Sequence, residues 1–568
     1  MNKVLMIVFL LLSSIKIVIG NELDKVLNLY YIKNNIAIDK KICDDYTWLR
    51  RVFIDLAGRI PTQKEIISFV SDKSPLKKQK TIDKVLSSED YTNNYYNFFA
   101  DLLRIRPERL SDDIGLLRSY PYMNYVRNFI RQDISYKDFV SSLLKAKGKY
   151  TDDPATGYYL RDNGMMFDNL VNSLQIFIGK DVGCSVCHDD PFQDYSQKQF
   201  YEMASFFNSL SNRENRKEYG DLIKRIDSEI KEITKQDRID NNARQLLSSN
   251  LFNLKDDDAK VLKLPHDYKY NDAKPFDVVE PVSLDGKVKN VKQNKRDIVS
   301  EWIINHPDFP ASISNRVWQN IVGKGLVENE VNFDIQDSEQ GDVLRFLGEY
   351  LKQNNYSIKN LLRLITTSDF YSRVPYKGDA EMFKHQAVLV KRMSSYQIWD
   401  SLLTLVLPDV NYAKPSFTEY SNLIEIDWND TSGKILLEKL EKLREFDKNL
   451  NTNILKYKNI ELVRSCFVLN KNSFVGQFLK EYGSSDRILI DSSNDKGSIT
   501  QILTIMNSPV TELLLDKKSQ LNNSKKEHIF LSILSRQANI QENTILQKSE
   551  TNDVVWALIN SREFLFRK

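Results

Sequence analysis

Apolar residues recur at helical spacing along most of the chain, and this periodicity is the feature that most constrains its fold. The stretch from Tyr46 to Ala57 carries the pattern, and Gly58 is placed to end that helix. Thr62 and Glu65 have the spacing of a capping box at the start of the next helix. Because similar units follow as far as the C-terminus, the sequence predicts a mainly α-helical protein.

The composition is that of a folded globular protein. Of the 568 residues, 41% are hydrophobic and 28% are charged, with only 19 Gly and 15 Pro, which excludes collagen-like, mucin-like and broadly disordered chains. The 80 basic and 77 acidic side chains nearly cancel and are interspersed. We therefore expect no nucleic-acid partner.

Residues 1–20 are typical of a secretory signal peptide. Lys3 supplies the positive charge, Val4 to Leu12 form the apolar run, and Gly20 is a small residue of the kind found at cleavage sites. An uncleaved membrane anchor is the alternative, because apolar residues resume after Lys16. We expect a periplasmic or otherwise extracytoplasmic protein whose mature chain has no membrane span.

An exported chain folds where thiols can pair. Four cysteines in so long a chain do not make a disulfide scaffold. Cys43 and Cys466 either bridge the two ends of the protein or are both buried as small apolar residues, and the sequence leaves both readings open.

Two helical domains are predicted, over residues 21–212 and 296–568. Residues 213–295 between them are expected to form a charged helical insert and a linker rich in Pro and Asp with short strands. The insert carries apolar residues at helical spacing, which fits a short coiled-coil arm as well as a solvated surface helix. The residues at this spacing are Tyr219, Ile223, Ile226, Ile230 and Ile233. Within the second domain, residues 408–460 are expected to be less regular, with a small strand-containing excursion.

The motif that carries chemistry is Cys-x-x-Cys-His, formed by Cys184, Cys187 and His188. This is the pattern of covalent c-type haem attachment. Two thiols three residues apart can each form a thioether with one haem vinyl group, and the adjoining imidazole is then placed to bind the iron. We therefore expect these residues to hold haem c, with His188 as the proximal axial ligand.

The residues around the motif supply candidates for the haem pocket and for a second iron ligand. An apolar stripe from Met166 to Phe177 leads to the motif, and Phe200, Met203 and Phe207 follow it on a helix opened by a second capping box, so these residues are expected to wall the haem or to be ordinary core. The distal ligand is expected to be His266 or Met203, and without either the iron is five-coordinate. The other histidines, His306, His385 and His528, are expected to be surface or capping residues.

Two other interpretations of the motif stay open. In the first, Cys184 and Cys187 pair in a disulfide of a structural interaction module, with an incidental histidine. In the second, the motif holds a non-haem zinc or iron ion, using Cys184, Cys187, His188 and the carboxylate of Asp189 or Asp190. No His-Glu-x-x-His, Gly-x-Ser-x-Gly or phosphate-loop motif is present, so whether the chain is an enzyme is also open.

Several phrases, in order, resemble a known arrangement of domains. The first are WLRRVFIDLAGRIPTQKEI and GCSVCHDDPFQDYSQKQFYEMASFF, which resemble the planctomycete-specific cytochrome-like domain of unknown function. The later ones are SNRVWQNIVGKGLVENEVNF, IKNLLRLITTSDFYS, RMSSYQIWDSLL and VVWALINSREFLF, which resemble its companion, the planctomycete-specific C-terminal domain of unknown function. The residues that match the companion, Arg316, Trp318, Trp556 and Glu563, are expected to serve in packing and ion pairs.

The resemblance implies an exported protein found beside sulfatase-like and polysaccharide-degrading proteins. One position departs from the family pattern, since Asp190 stands where the family usually has a second histidine. If that histidine binds metal, Asp190 replaces it with an oxygen ligand and favours a harder ion. The sequence therefore predicts a c-type cytochrome-like protein that exchanges electrons with an unidentified redox partner, and the alternative is a non-haem metal-binding or accessory protein of extracytoplasmic polysaccharide degradation.

Overall fold

The fold is taken from a computed structural model that describes residues 21–568 with short gaps. Residues 107–118, 163–164, 215, 237–240, 251, 290, 329–332, 334, 336–337, 414–416, 459, 469–471, 491–492, 495, 517–518, 520 and 522–525 are not described. Helices dominate the described residues, where the strands form only two-stranded antiparallel sheets, so the prediction of a mainly α fold is confirmed. The predicted signal peptide, residues 1–20, lies outside the described residues.

The first helices lead from the N-terminus past the cysteine motif. They are α1 (Glu22–Lys33), α2 (Asp45–Val52), α3 (Gln63–Ser71), α4 (Lys77–Leu86), α5 (Glu89–Leu102), α6 (Tyr120–Gln132), α7 (Tyr136–Lys145), α8 (Gly157–Leu160), α9 (Met166–Ile178) and α10 (Gln197–Ala204). A π-helical segment, Phe53–Ala57, extends α2, and a 3₁₀ turn, Cys184–Val186, lies between α9 and α10.

The insert and linker contain two helices, of 19 and 10 residues, and two small sheets. Their elements are β1 (Leu210–Glu214), α11 (Arg216–Thr234), α12 (Asn241–Asn250), β2 (Phe252–Asp256), β3 (Leu262–Lys263) and β4 (Val278–Val279). Strand β1 pairs with β2 and β3 with β4, both antiparallel.

The remaining elements follow the linker. They are α13 (Lys295–Ile304), α14 (Asp308–Val322), α15 (Gly341–Gln353), α16 (Ile358–Thr366), α17 (Asp369–Ser372), β5 (Lys391–Arg392), α18 (Ser395–Val406), α19 (Phe417–Ile424), α20 (Gly433–Asn453), β6 (Lys456–Tyr457), β7 (Ile460–Glu461), α21 (Phe474–Glu481), α22 (Ile499–Asn507), α23 (Pro509–Leu515), α24 (Ile529–Leu534), α25 (Ile540–Lys548), α26 (Thr551–Ile559), α27 (Arg562–Leu565) and β8 (Phe566–Arg567). Strand β5 pairs with β8 and β6 with β7. None of the described helices is long and apolar enough to cross a membrane.

Local signals set the helix ends near the N-terminus as predicted. Thr62 accepts the backbone N–H of Glu65, and the Glu65 carboxylate accepts the backbone N–H of Thr62 at 2.7 Å, which completes the capping box. Gly58 ends the preceding helix in the left-handed conformation, with φ of 70°. The sequence did not predict that the last turn before Gly58 is π-helical.

The hydrophobic core crosses the predicted linker. Its larger cluster takes side chains from both of the predicted domains, and α1 packs against α15 while α9 packs against α14. The rings of Tyr136 and Phe309, one from each side of the linker, stack with centroids 5.3 Å apart. A smaller cluster takes its side chains from Met393 to Phe564, together with Ile54 and Ile60 from the first part of the chain. Residues 21–212 and 296–568 thus both contribute side chains to the larger cluster.

The charged insert packs on the second part of the chain. Helix α11 lies against α20 and buries Ile226 and Ile230, and the ring of Tyr219 stacks on Trp428 at 4.6 Å. One apolar face of α11 therefore packs along α20, while Ile233 near its end is 52% exposed. Its partner α20 corrects the expectation for residues 408–460, because 21 of them form one long helix, and only the β6–β7 hairpin is the expected strand excursion.

Candidate functional site

The cysteine motif lies on a tight turn between two helices. Gly179 ends α9 with a φ of 66°, and the capping box of Ser196 and Gln199 begins α10, as predicted. In the 3₁₀ turn between them, the carbonyl of Cys184 accepts the backbone N–H of Cys187 at 3.2 Å. This turn sets Cys184, Cys187 and His188 on one short, exposed segment.

Both thiols of the motif are exposed and unpaired. All four cysteines of the chain are described, and none forms a disulfide. Partial desolvation, and then the nearby carboxylates of Asp190 and Asp181, raise the pKa of the Cys184 thiol. A raised pKa keeps this sulfur in its thiol form near neutral pH, which distinguishes it from the low-pKa cysteines of disulfide oxidoreductases.

His188 is oriented by the residue that follows it. Its Nδ1 lies 2.7 Å from the backbone carbonyl oxygen of Asp189. A carbonyl oxygen only accepts hydrogen bonds, so Nδ1 carries the proton and donates it, which leaves the lone pair of the neutral imidazole on Nε2. Within the described residues, Nε2 makes no hydrogen bond. This is the tautomer that a metal-binding histidine adopts when its other nitrogen donates to a carbonyl.

Asp189 is the positioning residue that the sequence did not reveal. Its backbone N–H donates to the hydroxyl of Tyr270 at 2.8 Å, and its carboxylate accepts the backbone N–H of Gln197 at 2.8 Å. The first contact ties the motif to the loop between β3 and β4, and the second ties it to the first turn of α10. Together they fix the carbonyl that orients His188.

Asp190 has a structural role in the turn after the motif. Its carboxylate accepts the backbone N–H groups of Phe192 at 2.8 Å and Gln193 at 3.1 Å. These bonds form an Asx-type turn and leave the side chain of Phe192 exposed. Across the described residues, no three His, Cys, Asp or Glu side chains converge in a metal-binding group. A haem bound by two thioethers and one imidazole needs no such group, so this finding does not bear on it.

The residues expected to wall a haem belong to the core instead. Phe200, Met203 and Phe207 are fully buried, and the ring of Phe167 packs edge-on against Phe200 with centroids 5.2 Å apart. Because His188 is exposed and Met203 is buried, Met203 is not placed as a distal ligand. The ordinary alternative, that these side chains are core, is the one that the structure shows.

His266 is the candidate distal ligand that shares a surface with the motif. Its side chain is 81% exposed, and it lies on the β3–β4 loop that also carries Tyr270. Since Tyr270 contacts Asp189, this loop runs directly beside the motif.

The other histidines have different environments. His306 caps the start of α14, where its Nδ1 accepts the backbone N–H of Asp308 at 3.2 Å. His528 is half-buried, and its Nδ1 lies 2.8 Å from the side-chain Nε2 of Gln63. His385 corrects the expectation of a surface or capping residue, because it is buried and its Nδ1 accepts the indole N–H of Trp318 at 3.2 Å.

Cys43 and Cys466 are both buried and unpaired. The sequence left open whether these two cysteines form a disulfide or are buried as small apolar residues. In the structure they are buried and form no disulfide. Burial raises the pKa of each thiol, which makes both poorly reactive.

The residues of the later phrases serve mostly in packing and ion pairs. Trp318 is buried and stacks on Phe370 at 5.1 Å, and Glu563 pairs with Arg536 at 2.7 Å. The Trp556 indole donates to the carbonyl of Met506 at 3.2 Å. Arg316 lines a cleft between α5 and α14.

The thiols and the imidazole of the motif fit a covalently bound haem. The apolar residues that were expected to form its pocket are buried in the core and leave no room for it. Two exposed thiols and an imidazole with an available Nε2 are the groups that the attachment requires. The nearby apolar side chains already pack on one another, so a haem held here would lie on the outside of the molecule. The surface beside it comes from the β3–β4 loop that carries His266.

Fold and site define a class, which is a mainly α-helical protein with an exposed Cys-x-x-Cys-His turn. Residues 22–212 match the family described as Protein of unknown function (DUF1549), and residues 295–549 match the family described as Protein of unknown function (DUF1553). The chain therefore carries these two domains of unknown function in this order, and the motif lies in the first. Comparisons with curated proteins and with solved structures found no match.

Proposed function

We propose that this chain is an exported c-type cytochrome-like protein that binds one haem covalently and transfers electrons to a redox partner protein. Cys184 and Cys187 would hold the haem through two thioether bonds, and His188 would bind its iron through Nε2. The observation that carries the proposal is the 2.7 Å contact from His188 Nδ1 to the Asp189 carbonyl, because it holds the imidazole in the ligating tautomer.

The residues of the turn have separate tasks in this proposal. Each sulfur would hold the haem through a thioether, formed by addition of its S–H across one vinyl group, which consumes no oxidant. Both sulfurs must therefore be reduced when attachment occurs, and both are unpaired in the structure. Asp189 holds the imidazole, and its contacts with Tyr270 and Gln197 prevent the turn from rotating. The bound haem would supply one-electron redox chemistry at this surface.

The exposure of the motif favours exchange of electrons with another protein. A haem held on this exposed turn would lie close to a docking partner, which would shorten the distance that the electron has to cross. His266 is proposed as the distal ligand, because it is the exposed histidine of the loop beside the motif. Without His266, His188 would be the one protein ligand of the iron.

The compartment is part of the proposal. The signal-like residues 1–20 support export to the periplasm or another extracytoplasmic space, where c-type attachment takes place. The resemblance to the cytochrome-like domain of planctomycetes supports the same assignment, together with an association with exported sulfatase-like or polysaccharide-degrading proteins.

The proposal is tested by the visible spectrum of protein made in a host that attaches haem c. The wild-type chain should show the Soret band of a bound haem after denaturation and extraction, and the double variant Cys184→Ala with Cys187→Ala should lose it. His266→Ala should keep the haem and change its spectrum towards five-coordination, and His528→Ala is the matched control that should change nothing. Colourless wild-type protein would contradict the proposal. Bound zinc or iron without haem would favour the metal-binding alternative, and a loss of two hydrogens in mass would favour the Cys184–Cys187 disulfide.

A further inference from the structure

A cleft of about 390 Å³ opens beside the first turn of α18, between α5 and α14. Residues 393–397, which include the start of α18, line it together with one face of α5 and the C-terminal end of α14. Its volume is in the lower part of the range of about 300–1,000 Å³ that small-molecule sites occupy. The cleft shares no lining residue with the cysteine motif, so a ligand bound here is separate from the proposed haem.

The backbone at the start of α18 is held in place on both sides. Met393 donates its N–H to the carbonyl of Leu565 at 2.9 Å, which continues the pairing of β5 with β8. Ser394 and Gln397 form a capping box, in which the Ser394 Oγ accepts the N–H of Gln397 at 3.3 Å and the Gln397 Oε1 accepts the N–H of Ser394 at 3.0 Å. The helix therefore begins at a fixed position beside the cleft.

Two backbone N–H groups of this first turn have no acceptor within the described residues. The first N–H groups of a helix have no partner inside it, and the capping box satisfies those of Ser394 and Gln397. The N–H groups of Ser395 and Tyr396 lie between them and make no hydrogen bond to the described chain. Because a helix N-terminus carries a partial positive charge, these two groups favour an anion at this end of the cleft.

The side chain of Ser395 is a second and independent indication of a ligand. It lines the cleft, and its exposed fraction is only 3%. Within the described residues its hydroxyl makes no hydrogen bond, yet the oxygen is not fully enclosed, so a group in the cleft can reach it. Polar side chains buried to this degree usually have a partner in the protein. An anion bound at the two N–H groups would supply the acceptor that this hydroxyl lacks.

The charged side chains of the cleft also favour an anion. Its described lining residues include three cations, Arg316, Lys391 and Arg392, and one carboxylate, that of Asp101. Asp101 pairs with Arg487 at 2.8 Å, so a residue outside the lining balances its charge. The described residues around the cleft therefore carry an excess of positive charge, which attracts anionic ligands.

The positions of the donors indicate which kind of anion fits. The two cations of β5 are held by backbone carbonyls, Lys391 by that of Asn320 and Arg392 by that of Lys496 at 3.3 Å, and a carbonyl orients a cation without cancelling its charge. Donors thus reach the cleft from three elements, which are the start of α18, strand β5 and, through Arg316, helix α14. A sulfate or phosphate ester group matches them, because it offers three strong acceptor oxygens where a carboxylate offers two.

We propose that this cleft binds a small organic molecule through a sulfate or phosphate ester group. The Ser395 hydroxyl and the N–H groups of Ser395 and Tyr396 bind the oxygens of that group, and Arg316 and Arg392 balance its charge. The cleft is larger than one such group requires, so the organic part of the ligand lies in it as well. The proposal stands on the cleft alone and does not depend on haem, so either can fail without the other.

The experiment is calorimetric titration of the full mature chain at constant ionic strength. The probes are glucose 6-phosphate, glucose 6-sulfate and, as the uncharged control, glucose. At least one ester should bind with a millimolar or lower dissociation constant and at least tenfold more tightly than glucose, and inorganic phosphate or sulfate should compete with it. The tighter of the two esters shows which oxyanion the cleft prefers.

Ser395→Ala should weaken binding of that ester about tenfold, because a hydrogen bond to a charged group is lost. Ser300→Ala is the matched control, since Ser300 is another buried serine whose hydroxyl has no partner among the described residues, and it does not line the cleft. Arg392→Gln should also weaken binding about tenfold through the loss of a charge, whereas Arg345→Gln changes a half-exposed arginine of α15 and should leave the binding unchanged.

Circular dichroism checks the folding of each variant before titration. The proposal is overturned if neither ester binds, if glucose binds as tightly as the esters, or if folded Ser395→Ala binds the ester as tightly as wild type. If Ser395→Ala does not fold, Arg392→Gln decides in the same way, and wild-type affinity in that variant overturns the proposal.

Discussion

Arg464 and Asp90 form a buried ion pair across 374 residues of sequence, with 2.7 Å between Nη1 and Oδ1. Arg464 also pairs with Asp400 at 2.8 Å, and Asp90 also pairs with Arg59 at 2.7 Å. The four side chains alternate in charge and sum to zero. Because Asp90 and Arg59 belong to the first matched domain and Arg464 and Asp400 to the second, the network ties the two domains together.

Removal of Arg464 should be strongly destabilising. Arg464→Leu leaves Asp90 and Asp400 buried with one fewer cation, and the loss of one partner from a buried pair costs about 3–5 kcal/mol. Lys33→Ala breaks the exposed pair with Asp342 and should cost less than about 1 kcal/mol. Urea unfolding followed by circular dichroism measures both. Equal costs for the two variants would show that the buried network does not contribute as described.

His385 should make the stability depend on pH. Burial, and then the charges of Lys324 and Lys384, lower the pKa of this histidine from 6.5 to about 3. A lowered pKa means that the neutral form stabilises the fold above pH 6.5 and that this stability is lost as the pH falls towards 3. Between those values the loss is about 1.4 kcal/mol per pH unit.

His385→Asn is the variant that isolates this dependence. Asn tolerates the positive φ of 57° at this position, and its Oδ1 can accept the indole N–H of Trp318. The free energy of unfolding, measured by urea titration at several pH values, should fall more steeply below pH 6.5 for wild type than for His385→Asn. Parallel curves would contradict the buried neutral histidine.

Alanine variants of two glycines with positive φ distinguish the cost of backbone strain from the cost of a steric clash. Gly148 has a φ of 96° and open space around an added Cβ, so Gly148→Ala should cost about 1–2 kcal/mol. Gly58 has a φ of 70°, and its added Cβ would lie 2.6 Å from the Asn94 Oδ1. Gly58→Ala should therefore cost about 1–3 kcal/mol more than Gly148→Ala in thermal or urea unfolding. Equal losses of unfolding free energy in the two variants would mean that the Asn94 side chain moves freely away from the added methyl group.

The helices and their ends could be predicted from the sequence because their signals are local. The pairs Thr62 with Glu65 and Ser196 with Gln199, and the glycine at position 58, act within one turn of the backbone. The core that joins α1 to α15 and α9 to α14 depends on contacts between distant residues, which leave no periodic trace. The sequence did not predict the long helix α20, because its apolar residues, which pack on α11, are interspersed with many Lys and Glu residues.

The site was predictable in its chemistry and not in its surroundings. The spacing of Cys184, Cys187 and His188 is visible in the sequence, and the structure places all three on one exposed turn. The apolar face of α10 indicates burial, but periodicity cannot tell whether a helix packs on protein or on a ligand, so the sequence left open whether Phe200 and Met203 wall a haem or belong to the core. The role of Asp189 depends on its contact with Tyr270, 81 residues away in the sequence, and no local sequence pattern predicts that contact.

Asp190→Asn should make the Cys184 thiol more reactive. The variant keeps the Oδ1 acceptor of the turn and removes the negative charge that helps to raise the pKa of the thiol. In haem-free protein with Cys187→Ala, alkylation by iodoacetamide near neutral pH should therefore be faster than in the same background with Asp190. Asp168→Asn removes a carboxylate from α9 and should leave the rate unchanged. A rate that does not respond to Asp190→Asn would show that the carboxylate does not influence this sulfur.

The most direct test of the account is the mass of the peptide that contains Cys184 and Cys187, taken from chain matured in a host that attaches haem c. The account predicts that this peptide carries the whole mass of one haem on its two sulfurs, with the iron absorbance following it through chromatography. A peptide of unmodified mass, or one lighter by two hydrogens, would contradict it.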